Sequence, residues 1–418
     1  MRLSQLGEGA GEHDGRTVFV AGALPGERVR VGLREEQRVL RGELLEVLEP
    51  SPARRTPPCP IADRCGGCDW LHLDEATQRK AKEEILLSAL ERLGRIPRSE
   101  VRLLPTVQAS TPMSYRRRAV LHPSRGGLGF FGRKSHQLVP VEVCGALVGR
   151  LADLPSRLSP LLEPIRGDLS EVSLLAAGEQ ASFAAVLKGP VRAKVRETCE
   201  RAVRELHLAG AVIVAPERAP ELIGRPTLRA RAPARPDVPL YLRPDGFAQA
   251  HQEANELLVD SALATLAPSS ADRALELYAG NGNFTFALAA RVKELAAVEA
   301  SSLAVELGRR STLEGGIANV RWVLGDAGEV VDGLVREGRR FDLLLADPPR
   351  TGAPGLGARA RSLGVRRVVY VGCDAASLAR DGADLREAGF APSTVQLVDM
   401  FPQTHHLEAV MAFDRRGG

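Results

Sequence analysis

The sequence predicts a doubly wound α/β domain with a mostly parallel sheet at its C-terminal end, preceded by a small β-barrel and a mixed α+β segment. From about Leu242 onward, short apolar runs alternate with helical stretches in a strand, turn, helix rhythm, the pattern of a sheet covered by helices on both faces. Residues 1–50 instead alternate apolar and polar positions between the turn signals Asp14-Gly15 and Pro25-Gly26, as a small barrel requires. Residues 100–240 mix strand-like pieces such as Ala211-Val212-Ile213-Val214 with Pro and Arg.

Taken in order, the runs at 17–20, 28–31 and 41–47 read as barrel strands, and Ser51 to Pro58 as a linker. A cysteine-bearing loop follows. A helix is then expected from about Asp74 to Leu93, with Asp74 as N-cap, apolar Ile85, Leu86, Ala89, Leu90 and Leu93 at helical spacing, and Gly94 as the stop. In the C-terminal part, strands are expected at 274–278, 294–298, 320–324, 341–346, 367–371, 394–398 and 406–413, with helices at 283–290, 301–313 and 375–388. Domains are expected at 1–54, 55–240 and 241–418, with the helix 74–93 packing on the last.

Composition narrows the function classes. With 56 Lys+Arg against 52 Asp+Glu, 44% hydrophobic and 26% charged residues over 418 positions, the chain is globular, neither a disordered tail nor a fibre. No run nears 18 apolar residues and the N-terminus has no signal-like stretch, so a cytoplasmic protein without membrane contact is expected. Only six of the basic residues are Lys, a bias that codon usage explains as readily as contact chemistry. Between Val101 and Val141, however, stand seven bases (Arg102, Arg116, Arg117, Arg118, Arg125, Arg133, Lys134) and no acid. Such a block is either a solvated face or the footprint of a nucleic-acid site.

The chemistry-bearing motifs fall at strand ends, where α/β sheets bind ligands. The first strand runs into Tyr278-Ala279-Gly280-Asn281-Gly282, and the second ends at Glu299. Glycines let backbone approach a ligand, and an acid at that distance can accept ribose hydroxyls. Without a full G-x-G-x-x-G, a nucleoside cofactor lacking a pyrophosphate, such as S-adenosylmethionine, fits better than NAD. Asp347-Pro348-Pro349-Arg350 ends the fourth strand, its prolines fixing a turn that aims the carboxylate. It lacks the aromatic platform usual in exocyclic-amine methylation. Cys373 follows the fifth strand directly before a helix, a place expected to lower a thiol's pKa. Glu408 precedes an apolar strand, where an acid is paired or catalytic.

Cys59, Cys65 and Cys68 share one tight loop, with Cys144 as a distant fourth thiol. In a cytosolic protein this set suits a metal or iron-sulfur centre better than disulfides, and spacing leaves zinc and a cubane cluster both open. His405-His406 has no further ligand at metal spacing. Cys199, in a helical stretch, reads as an ordinary residue.

Asp-Pro-Pro-Arg, the run from Gly372 to Asp381 and the run from Asp399 to Glu408 resemble the signature motifs of the RNA uracil-5 methyltransferases. Gly22 to Val29 resembles a TRAM domain, an RNA-binding barrel, and the cysteines resemble the [4Fe-4S] site of the ribosomal RNA branch, with zinc less favoured. The resemblance spans nearly the whole chain; Ala279, His251 and Ala375 depart from the usual residues. It implies a Rossmann-like class I methyltransferase domain in which Cys373 adds to C6 of uracil and Glu408 removes the C5 proton. It further implies S-adenosylmethionine on Gln249, Tyr278, Gly280, Gly282, Glu299 and Asp347, a cluster on Cys59, Cys65, Cys68 and Cys144, and RNA on Phe247, Arg116 and Arg118. Ribosomal RNA is favoured over transfer RNA, with no obligate protein partner. The competing readings are a tRNA uracil-5 methyltransferase and a non-catalytic RNA-binding or chaperone protein on a methyltransferase fold; a radical methylthiotransferase would need a different cysteine spacing.

Overall fold

In the computed structural model, which describes residues 2–36, 39–133 and 135–417, the N-terminal alternation forms a five-stranded sheet. Its strands are β1 (Arg2–Leu3), β2 (Gly9–His13), β3 (Arg16–Val20), β4 (Arg28–Glu36) and β5 (Val39–Glu49), in the order β1-β2-β3-β5-β4. Its own core is small, built on Val18, Val20 and Ala23. The sheet is therefore fastened from outside: Leu24 joins the main core of the molecule, and Trp70 Nε1 donates to the Gly7 carbonyl at 2.9 Å. Arg54 Nη2 also bonds the fully buried Glu27 side chain at 2.7 Å. Burial alone would raise the Glu27 pKa, but Arg54 and the N–H groups of Leu24 and Ser51 hold it below the ordinary value.

The expected helix spans Glu75–Arg92, and Asp74 accepts from the Thr77 N–H as its N-cap. Its inward face carries Ile85, Leu86, Ala89 and Leu90, and, nearer the N-terminus, Gln78 and Lys82. It packs against the helix Ala375–Glu387. The strand β6 (Arg102–Gln108) comes next.

A seven-stranded sheet follows from β7 (Arg118–Ser124), β8 (Gly127–Phe131), β9 (Leu138–Pro140), β10 (Leu169–Ala177), β11 (Gln180–Leu187), β12 (Gly210–Val214) and β13 (Glu221–Gly224). Two helices cover it over a separate core that includes Leu121, Leu174, Phe183 and Ile213. Cys199 lies buried in that core. The pair β14 (Leu228–Ala232) and β15 (Arg235–Leu242) leads into the C-terminal part.

There β16 (Arg273–Leu277), β17 (Glu294–Glu299), β18 (Val320–Leu324), β19 (Leu343–Ala346), β20 (Arg367–Gly372), β21 (Phe390–Asp399) and β22 (Glu408–Arg415) form an eight-stranded sheet with β6. The order is β18-β17-β16-β19-β20-β22-β21-β6. The first five strands are mutually parallel, and β22 runs antiparallel between β20 and β21. The chain order reverses around β16, which opens a crevice at the carboxyl ends of β16 and β19. The helix expected at 283–290 is shorter, Thr285–Ala289, because the residues before it form a turn. Among the described residues no helix is long and apolar enough to cross a membrane.

Candidate active site

The turn after β16 is built by backbone geometry that side chains resist. Gly280 and Gly282 have φ of 57° and 106°, and a Cβ on Gly282 would lie 2.4 Å from the Phe286 ring. Tyr278 also adopts a left-handed φ of 62°, an outlier for an aromatic residue that surrounding contacts must enforce. Glu299, at the end of β17, closes the turn: one carboxylate oxygen accepts from the Gly280 N–H at 2.9 Å and the other from the Ser301 N–H at 2.7 Å. Beneath lies Glu276, fully buried, with neither carboxyl oxygen hydrogen-bonded. Burial pushes its pKa up to about 8 against the Thr285 side chain, and the charges of Asp347 and Glu299 add to the shift. Three carboxyl groups thus gather around a cradle of bare backbone, a setting suited to a cationic cofactor. Gln249 is buried, its carbonyl accepting from Arg117 Nε at 2.8 Å, whereas Phe247 is 68% exposed.

The second cluster forms where β19, β20 and β22 meet. Asp347 follows β19, Cys373 follows β20, and Glu408 opens β22. The β20/β22 register pairs Gly372 with Ala409, so Cys373 and Glu408 occupy the next opposed positions. Burial raises the Asp347 pKa to about 7. Glu408 is raised well above the carboxylate range by burial and by Asp347, against the opposing pull of Arg350. The expected lowering of the Cys373 pKa is not found: burial, then Glu408 and Asp347, push it up to about 12, with Arg350 acting the other way. Burial, reinforced by the two carboxyl groups, outweighs the helix N-terminus that follows the thiol. Arg350 Nη2 also lies 3.4 Å from His406 Nδ1. Burial, and then the charges of His405 and Arg350, lower the His406 pKa to about 4.

The loop between β21 and β22, which delivers Glu408, is anchored by residues the sequence motifs did not single out. Lys82, fully buried, pairs with Asp399 at 2.7 Å and donates to the Phe401 carbonyl at 2.9 Å. Gln403, at φ 68°, donates its N–H to Gln78 Oε1 at 2.8 Å. Its own Oε1 accepts from Gln78 at 3.0 Å and Arg55 at 2.5 Å. Tyr115 OH donates to the Pro402 carbonyl at 2.9 Å, and His405 Nδ1 bonds Asp69. The available signal was Gln78 and Lys82 on the apolar stripe of a helix, where unpaired polar residues are costly. His251, a departure from the family pattern, accepts from the Ala254 N–H as N-cap of the helix Gln252–Leu266 and stacks on Tyr115.

Cys59, Cys65, Cys68 and Cys144 line one cavity of about 390 Å³, together with Arg116, Phe247, Gln249 and Phe401. Burial raises the Cys68 pKa to about 12 despite Arg116, and Cys144 and Cys65 add to the rise. Among the described residues no three His, Cys, Asp or Glu side chains stand close enough to hold a single metal ion. The four thiols surround a space instead. The basic block does not form one open face. Arg117 is buried on the Gln249 carbonyl, Arg116 Nε donates to Tyr115 OH at 3.3 Å, and Arg118 Nε to the Gly246 carbonyl at 3.2 Å. Arg133 Nη2 donates to the Cys68 carbonyl at 3.2 Å. Arg102 and Arg125 are exposed, and Lys134 lies outside the described residues.

Comparison with known proteins agrees with this arrangement. The fold overlays the crystal structure of Pyrococcus abyssi tRNA (uracil-54, C5)-methyltransferase in complex with S-adenosyl-L-homocysteine, with a TM-score of 0.76 at 20% identity, covering 99% of this chain and 98% of that one. The fold is that of a methyltransferase. Residues 240–416 match the profile of the tRNA (Uracil-5-)-methyltransferase family. The chain is 34% identical to the 23S rRNA (uracil(1939)-C(5))-methyltransferase of Pectobacterium atrosepticum over 98% of its length and 92% of that protein. It is also 34% identical to the namesake from Alkalilimnicola ehrlichii over 99% of its length and 95% of that protein. The chain belongs to the RNA uracil-5-methyltransferase family, and it transfers a methyl group from S-adenosylmethionine to C5 of uridine in RNA.

Proposed function

We propose that the substrate is one uridine of 23S ribosomal RNA and that Cys373 and Glu408 perform the reaction. The opposed placement of these two residues at the β20/β22 end carries the assignment. C5 of uracil is a weak nucleophile, so Cys373 Sγ first adds to C6 and gives C5 enolate character. The methyl group comes from the sulfonium of S-adenosylmethionine. Glu408 then takes the remaining C5 proton, and the thiolate is expelled to restore the ring. Cys373 must lose its thiol proton before it adds to C6, and Glu408 must be ionised to take the C5 proton, both protons passing to solvent; Arg350, the cation that opposes both shifts, favours these ionised forms.

Gln249, Tyr278, Gly280, Gly282, Glu299 and Asp347 would hold the cofactor. The left-handed glycines and the unpartnered Glu276 carboxyl beneath them support this. Phe247, exposed at the rim, is the candidate for stacking on a base. Arg118 steadies the loop before Phe247 through the Gly246 carbonyl; Arg116 and Arg118 both line the thiol cavity beside Phe247 and stay the candidates for RNA contact. The five-stranded N-terminal sheet is read as the TRAM-like RNA-binding barrel.

Cys59, Cys65, Cys68 and Cys144 would hold a [4Fe-4S] cluster. Their lining of one cavity, beside the Arg116 cation, supports a thiolate-held centre there. Anaerobically purified protein should carry iron and sulfide and absorb broadly near roughly 400 nm; stoichiometric zinc without iron overturns the cluster. For the substrate, labelled methyl transfer to unmodified 23S RNA and to unmodified tRNA should label only the former, at a single 5-methyluridine. Labelling of tRNA alone would favour the tRNA reading.

A further inference from the structure

The turn carrying Asp347 and Arg350 needs an anchor, because two prolines remove backbone donors from it. That anchor comes from the helix that starts beside the nucleophile. Asp381, 6% exposed, lies in the helix Ala375–Glu387. A single oxygen of its carboxylate, Oδ2, accepts from the Ala353 N–H at 2.6 Å and from Tyr370 OH at 2.5 Å. Ala353 closes the turn that begins at Asp347, and Tyr370 lies in β20, the strand that leads into Cys373. Gly352 brings backbone directly against this carboxylate: at φ 84°, a Cβ there would lie 2.5 Å from Oδ2.

We propose that Asp381 is a positioning residue that fixes the Asp347–Arg350 turn to the strand and helix bearing Cys373. One acceptor atom is shared by the two segments whose relative position decides whether thiol, carboxyl groups and uracil can meet. Asp381 touches no substrate in this arrangement. Its effect passes through the Ala353 N–H on one side and the Tyr370 hydroxyl on the other. The inference rests on the assignment of Cys373 and Asp347 to the reaction.

The test compares Asp381→Ala, Asp381→Asn and Tyr370→Phe with wild type. The readouts are thermal unfolding, S-adenosylhomocysteine binding by calorimetry, and the single-turnover rate of methyl transfer to a 23S RNA fragment. Asn can place its carbonyl oxygen where Oδ2 stands and keep both donors. A displacement of about 1 Å in a reacting group costs roughly 100-fold. Asp381→Ala should therefore slow the saturated rate by about 30- to 100-fold while KM for RNA changes by less than about threefold. Asp381→Asn should recover most of that loss. Tyr370→Phe, which leaves the Ala353 bond, should fall between them. The proposal is overturned if Asp381→Ala keeps a near wild-type rate, if Asn is no better than Ala, or if the loss follows the unfolded fraction. A Cys373→Ala control separates the two levels: methylation that persists there removes the underlying assignment, whatever Asp381 does.

Discussion

Two sets of half-buried thiols in this chain differ in the charge that acts on them most strongly. Cys373 faces Glu408 and Asp347, and both push its pKa further in the direction burial already takes it. In the cavity, burial likewise pushes Cys68 up to about 12, but its leading charge is the Arg116 guanidinium, which opposes the rise ahead of Cys144, Cys65 and Asp69, which add to it; the Gly67 N–H and, more weakly, Arg133 oppose the rise at Cys65. Burial alone therefore does not set a thiol's role. Burial and two carboxyl groups hold the Cys373 pKa up, whereas the Arg116 and Arg133 guanidinium groups oppose the rise at Cys68 and Cys65, the thiols proposed to hold a cluster.

The sharpest way to break this contrast is to remove one thiol and follow both sites. Cys373→Ala should lower methyl transfer by at least about 1,000-fold, with iron content unchanged by metal analysis; parallel loss of iron would mean that the two sites are not separate. Glu408→Gln should lower turnover by roughly 100- to 10,000-fold. It also removes a negative neighbour of Cys373, so alkylation of that thiol by iodoacetamide at pH 8 should become faster than in wild type. Slower or unchanged alkylation would contradict the electrostatic account.

Stability tests sharpen the same comparison. Lys82→Met leaves Asp399 buried without its cation and should cost about 3–5 kcal/mol in denaturant unfolding. Unlike Lys82, Glu276 has no oppositely charged partner; only the Thr285 side chain opposes its shift. A carboxyl whose folded pKa is raised binds more protons folded than unfolded, so its contribution is present below the unfolded pKa and is lost as pH rises through the folded one. With Glu276 raised to about 8 and Asp347 to about 7, thermal stability should fall between pH 5 and pH 8. Glu276→Gln should flatten that slope.

The strand ends were legible because their signals are local: Gly280, Gly282, Asp347 and Cys373 each sit at a turn that a few neighbouring residues define. That the C-terminal sheet is mostly parallel followed from the strand, turn, helix rhythm; its strand order did not. What local pattern cannot carry is contact across the chain. Lys82 and Asp399 stand 317 residues apart, and β6 joins the far edge of a sheet otherwise built from residues after 270. The proton on Cys373 was misread for the same reason, since the helix N-terminus is adjacent in sequence whereas Glu408 arrives on another strand. The 101–141 bases looked like one surface, yet Arg116, Arg117 and Arg118 turn inward to hold carbonyls and a tyrosine. The N-terminal sheet likewise shares Leu24 with the main core. Deleting residues 1–50 would therefore disturb more than RNA binding, and point substitutions on the sheet are the cleaner probe.

The division of labour between Cys373 and Glu408 is tested most directly by covalent complex formation. Wild type, Cys373→Ala and Glu408→Gln would be incubated with a short uridine-containing 23S RNA fragment and methyl-labelled S-adenosylmethionine, then resolved under denaturing conditions. Glu408→Gln should accumulate a methylated protein–RNA adduct that wild type releases, and Cys373→Ala should form none. An adduct in Cys373→Ala, or normal release by Glu408→Gln, would contradict the assignment.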